Sequence, residues 1–252
     1  APEAPEAEAD SAVAEPAANG AWNAFVDRYI EDYFETHPGF AVVQGRHEFD
    51  GRLQDWSADG IAREISRLNQ ARDQALGFGD DALDGHERFQ REYLVAAIDR
   101  SLFWLDKAEW PFVNPAFYFD WMSDSLDPSP YITLDYAPLE DRMRAYTAYA
   151  RSVTRAASQI RANLRMPMAR TRLQYGIDSF GGLADYFRDD VPAVFAGVDD
   201  PELRKAFAEA NERAAAAMQE LAEWMRSNLD SATEDYALGP ELFRQMIYDT
   251  ER

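Results

Sequence analysis

Large apolar side chains recur at three- and four-residue intervals along most of this chain, and almost nowhere do they alternate. Trp22, Phe25, Val26, Tyr29, Ile30, Tyr33 and Phe34 form one such stripe. Leu203, Phe207, Ala210, Ala214, Ala217, Met218, Leu221 and Met225 form another. That spacing puts one face of a helix in the core and leaves no face suited to a sheet. The spacing predicts an all-α protein, an irregular array of long antiparallel helices. Tyr131-Ile132-Thr133-Leu134 is the only segment that reads as a short strand.

Breaks in the stripes locate the helices. Pro38 and Gly39 end the first, a turn through Val42 and Val43 leads to Gly45, and Asp50-Gly51 marks a tight turn. Ser57 caps a helix carrying Ile61, Ile65, Leu68, Ala75 and Leu76. A helix from about Asp84 to Lys107 is expected to bury Phe89, Leu94, Ala97, Ile98, Leu102 and Leu105. Five prolines between Trp110 and Pro138 forbid a continuous helix there, and five aromatics between Phe112 and Trp121 mark a segment that packs over a core or lines a cleft. Pro138 opens a helix to about Arg165. After Pro167 another runs from Ala169 to Asp190, weakened at Gly181-Gly182. Asp200-Pro201-Glu202 and Gly239-Pro240-Glu241 are start signals for two more. The last stripe begins at Leu242 and the sequence stops at Arg252, so residues 21–252 read as one helical domain, a C-terminally truncated part of a larger one. Residues 1–20 hold eight Ala, three Pro, five acids and no basic residue, which predicts a disordered acidic tail. Such a tail, opening on Ala rather than Met, fits the tether of an exported or anchored domain whose signal peptide was removed, or a trimmed chain.

Charge excludes several partners. With 25 basic against 46 acidic residues the formal net charge is −21, which disfavours nucleic-acid phosphates and anionic membranes alike. The longest apolar run, Tyr93 to Ile98, is far short of the roughly 20 residues a transmembrane helix needs. There is no cysteine.

Catalytic signatures are mostly missing. His47-Glu48 and His86-Glu87 open a zinc-binding pattern, but the positions four after each His are Gly51 and Gln90. A metal shared by His37 and His47 is disfavoured by the Pro/Gly break between them. Ser179 lacks the glycine two residues before it that a nucleophile elbow requires. The acid pairs Asp80-Asp81, Asp189-Asp190 and Asp199-Asp200 each border a helix end, where capping explains them. Eight arginines against two acids between Glu140 and Arg172 give a local charge of +6. They serve either to bridge acidic neighbours or to capture an anion such as a peptide carboxylate, with Arg170 and Arg172 the candidates. A polar turn holding Arg46, His47 and Asp50 is the other candidate contact, with a brace for the backbone as its plainer reading. Phe112, Phe117, Tyr118, Phe119 and Trp121 read as core before ligand cage.

Several stretches are familiar together. His37-Pro38, the run Gly45-Arg46-His47-Glu48-Phe49-Asp50-Gly51-Arg52-Leu53, Arg165-Met166-Pro167, the Phe180–Phe187 region, the Asp200–Trp224 helix and Leu238-Gly239-Pro240-Glu241-Leu242-Phe243 follow one another in order. Together they resemble the N-terminal half of the bacterial domain-of-unknown-function family 885. The resemblance implies an exported or lipid-anchored, zinc metallopeptidase-like protein whose metal motif lies in a C-terminal half that nothing here matches. On that reading this chain is a cleft-forming helical portion, periplasmic or anchored to the envelope. It holds no cofactor and no catalytic residue, with zinc expected only in the other half. Its partners would be peptides and that missing half. The alternative is a free-standing exported helical domain that binds peptides or acts as a scaffold.

Overall fold

The computed structural model describes residues 20–119 and 125–251. The tail expected over residues 1–20 therefore lies outside the described residues except for Gly20, and Trp121 lies outside them too. Among the described residues eleven α-helices follow in order: α1 Gly20–Thr36, α2 Pro38–Val43, α3 Ala58–Leu76, α4 Gly85–Leu102, α5 Trp110–Val113 and α6 Ser129–Thr133. Then come α7 Leu139–Asn163, α8 Arg170–Asp189, α9 Val191–Val194, α10 Pro201–Arg226 and α11 Gly239–Thr250. Among the described residues there is no strand, only an isolated bridge between Ala169 and Thr233.

The start signals act as their chemistry requires. Ser57 Oγ accepts from the Gly60 N–H at 3.0 Å. Asp84 and Glu87 form a reciprocal box at the start of α4, each carboxylate accepting from the other's backbone N–H at 2.8 and 3.0 Å. Asp200 Oδ1 accepts from the N–H groups of Glu202 and Leu203, both at 3.0 Å.

Helices α7, α8 and α10 form the main bundle. The α10 stripe of Leu203, Phe207, Ala210, Ala214, Met218, Leu221 and Met225 is buried throughout. Opposite it lie Tyr146, Tyr149, Phe180 and Phe187, also buried. Burial of each such side chain contributes about 1.5–3 kcal/mol. Gly176 is where α8 meets α10: a Cβ there would collide with the Met225 side chain. The polar atoms are matched inside, Tyr146 Oη donating to Asn211 Oδ1 and Asn211 Nδ2 to the Phe187 carbonyl. A second layer of α1, α3 and α4 carries its own smaller cores, Trp22 with Phe25, Ala75 and Leu83, and Leu68 with Ala71 and Ile98.

Three sequence readings change and one holds. Residues 131–134 are not a strand. Ser129–Thr133 is a short helix with Pro130 near its start, Tyr131 packs on Tyr149, and no described strand offers an edge to pair with. The helix expected over 84–107 is α-helical only to Leu102 and continues as a π-turn over Phe103–Lys107. Phe89 and Ala97 are exposed rather than buried, because α4 offers its Ile98 side to α3 and leaves Phe89, 63 % exposed, on an uncovered face. Gly181 and Gly182 leave α8 unbroken, since packing on α10 compensates for their weak helix propensity. No helix among the described residues is long and apolar enough to cross a membrane.

Candidate functional site

The five residues singled out in the sequence fall in two places. Arg46 follows α2 and its guanidinium reaches Glu31 at 2.8 and 3.0 Å and Glu48 at 2.5 Å. It also lies over the rings of Phe34 and Phe49. These pairings lower the pKa values of Glu31 and Glu48 and raise that of Arg46. His47 stacks on Tyr136 at 3.8 Å between centroids, and His47 Nδ1 and Tyr136 Oη meet the two oxygens of Asp50 at 3.2 and 3.1 Å. Burial, and then the Asp50 charge, pushes the Tyr136 hydroxyl well above its usual range. The turn thus brings Arg46, His47 and Asp50 together.

Arg170 and Arg172 stand apart from that turn, on α8 against the segment before α11. Arg170 Nε lies 3.6 Å from Glu234 and remains half-exposed. Arg172 donates to the carbonyls of Val113 and Tyr236 at 3.1 and 3.0 Å, and burial lowers its pKa. Much of the rest of the arginine-rich stretch is internally matched. Arg142 pairs with Asp135, Arg144 with Glu140 and Asp200, and Arg165 forks onto Glu109 at 2.9 and 3.0 Å. Arg161 lies over Trp224.

The most enclosed polar constellation joins His37, weighed in the sequence only as a metal ligand, to Glu64 and Arg67, which the sequence reading passed over. His37, at the junction of α1 and α2, is 5 % exposed and stacks on Tyr33 at 4.1 Å. Its Nδ1 lies 3.1 Å from the Tyr33 carbonyl and 2.9 Å from Thr36 Oγ1. A proton on Nδ1 satisfies the carbonyl and leaves Nε2 as an acceptor. That Nε2 faces Glu64 Oε1 at 4.0 Å. Glu64, also 5 % exposed, accepts two bonds from Arg67 at 2.7 Å each. Arg67 lies over Tyr29 and Tyr33, and its Nη1 is buried with no hydrogen bond of normal geometry among the described residues. Burial holds the His37 pKa below the usual imidazole range, and the nearby Glu64 charge opposes that shift without reversing it. One signal was available in the sequence. Glu64 falls at helical spacing inside the stripe Ile61, Leu68, Ala71, Ala75, so a carboxylate had to enter the core there.

His37 and Glu64 line a cavity of about 160 Å³ at the seam between the two helical layers. Leu68 and Leu105 come to it from the α3–α4 side, Trp110 and Phe117 from the bundle side. Among the described residues no group of three His, Cys, Asp or Glu could hold a metal ion.

Helices in two layers, an aromatic cavity at their seam and a buried His–Glu–Arg cluster define an all-helical protein with a lined internal cavity. Residues 38–251 match the family model described as "Bacterial protein of unknown function (DUF885)", and the chain belongs to that family. No curated protein matches the sequence. Among solved structures the chain resembles "a putative lipoprotein of unknown function" from Shewanella oneidensis, with a TM-score of 0.78 over 90% of this chain at 18% identity. At that identity the likeness is one of fold. The chain spans 42% of that protein's length.

Proposed function

We propose that this chain is a cleft-forming helical portion of a larger, metallopeptidase-like protein of the bacterial envelope, binding peptides without cleaving them by itself. The observation that carries the reading is membership of the family over residues 38–251. The match to 42% of a longer, lipoprotein-described chain supports the larger whole and the envelope setting. On this reading, zinc and the groups that activate water would come from outside this chain. Within this chain, Arg170 is the better placed of the two α8 arginines to meet a peptide carboxylate. It is half-exposed and only loosely held by Glu234, whereas Arg172 already serves two carbonyls. The turn of Arg46, His47 and Asp50 offers a second polar contact.

The test mixes the purified chain with a set of unblocked and C-terminally amidated peptides, with and without added zinc. Binding without cleavage is expected, weaker for amidated peptides and for Arg170→Ala. Cleavage by this chain alone overturns the reading, as does affinity indifferent to both changes.

A further inference from the structure

We propose that the seam cavity is a binding site for a small uncharged aromatic ring bearing one hydroxyl donor, a phenol-type group. The inference concerns this chain alone and stands whatever the larger protein does.

Size sets the first limit. A cavity of about 160 Å³ matches the scale at which an apolar protein cavity of about 150 Å³ accepts benzene, so one six-membered ring with a short substituent fills it. The walls set the second. Tyr33, Trp104, Trp110 and Phe117 present ring faces and edges, with Trp104 and Trp110 3.9 Å apart between centroids at 74°. Such surfaces favour a flat aromatic guest in offset or edge-to-face contact.

The polar end selects the substituent. His37 Nε2 makes no hydrogen bond among the described residues, and with Glu64 Oε1 it forms a pair of acceptors 4.0 Å apart. A hydroxyl oxygen set between them reaches either at normal hydrogen-bond length. Charge decides against an ammonium, and the pair of acceptors decides against a carboxylate. Arg67 beside Glu64 and Arg100 on the cavity wall outnumber the one carboxylate, which disfavours an ammonium. A carboxylate would turn its oxygens toward two acceptors.

The backbone around the site is irregular in a way the rest of the fold is not. The π-turn over Phe103–Lys107 places Trp104 and Leu105 on the wall. Just before Trp110, Glu109 holds a left-handed conformation with φ 47°, pinned by the Arg165 fork. Irregular turns of both kinds gather where a fold positions side chains for a ligand. The cavity also has a way in. Tyr33, Arg100 and Ser101 line both it and the groove between α1 and α4, which Phe34, Phe40 and Leu94 continue. The ring can therefore arrive free or at the end of a longer molecule.

Phenol, toluene, benzylamine and benzoate are titrated into the full chain by calorimetry and by proton–nitrogen NMR. Phenol is expected to saturate, to shift the Trp104 and Trp110 indole N–H signals, and to bind about fivefold more tightly than toluene, the contribution of one hydrogen bond. Benzylamine and benzoate are expected not to compete. Ser101→Phe fills the cavity from its wall and should abolish phenol binding. Overhauser contacts from phenol to Trp104 and Leu105 in the unmodified chain locate the ring even where that variant does not fold. No saturable phenol binding, equal binding of toluene, tighter binding of either charged analogue, or contacts elsewhere on the surface overturns the proposal.

Discussion

At the scale of single residues, Gly51 combines two reasons to remain glycine. Its φ of +78° lies in the left-handed region, and a Cβ there would collide with Ala148 on α7. Its N–H donates to Tyr131 Oη and its carbonyl accepts from Ser152 Oγ, both at 3.0 Å, so the turn is tied to the bundle from two sides. Gly51→Ala should destabilise the protein by about 2–4 kcal/mol, combining left-handed strain with overpacking. Urea denaturation at neutral pH measures it. The Asp50-Gly51 pair announced this turn in the sequence, but not that α7 would press against it, because that contact spans almost a hundred residues. His37 contributes a pH dependence near neutrality. Its folded pKa lies below the unfolded value of about 6.5 because burial opposes its charge. In the window below about pH 6.5 the unfolded chain therefore binds the extra proton and stability falls as the pH falls, whereas above that window the His37 contribution is constant. An NMR titration should place the His37 ring's midpoint below 6.5. A midpoint at or above that value removes the claim.

At the scale of helices, beginnings were more legible than ends. Ser57, Asp200 and the Gly-Pro-Glu at 239–241 each open a helix at or next to the expected residue, because capping is a contact between near neighbours in sequence. Asp84→Ala, which breaks the reciprocal box with Glu87, should cost about 1 kcal/mol and fray the first turn of α4, visible as faster amide exchange over residues 85–88. The π-turn at the other end of α4 was not legible. It depends on distant partners: Phe103 is fully buried, and Lys107 reaches Asp249 on α11 at 2.9 Å. Asp249→Ala should speed amide exchange in α11 and in residues 103–108 together. A change confined to α11 would separate the two elements. The stripe on α4 misled for a related reason, since periodicity marks an apolar face without saying whether a neighbour covers it.

At the scale of the whole molecule, the helical class and the family were readable. The pairing of two layers was not, because which stripe meets which is set by long-range packing. His37, between α1 and α2, and Glu64, on α3, are distant in sequence, and only the folded chain brings them within 4.0 Å of one another. Large apolar side chains remain uncovered on α4 and α11: Phe89, Tyr93, Phe243 and Tyr248 are 63 %, 70 %, 51 % and 63 % exposed. Exposed apolar surface of this kind drives association. Sedimentation should show concentration-dependent self-association that Phe243→Glu together with Ile247→Glu reduces. A monomer at every concentration contradicts the expectation.

The tryptophan pair at the seam has a practical consequence. Two indoles whose ring centroids lie 3.9 Å apart on the cavity wall exchange excitation and quench with steep sensitivity to their spacing. Intrinsic fluorescence thus gives the protein a built-in gauge of whether its layers are locked or slipping, with no dye attached.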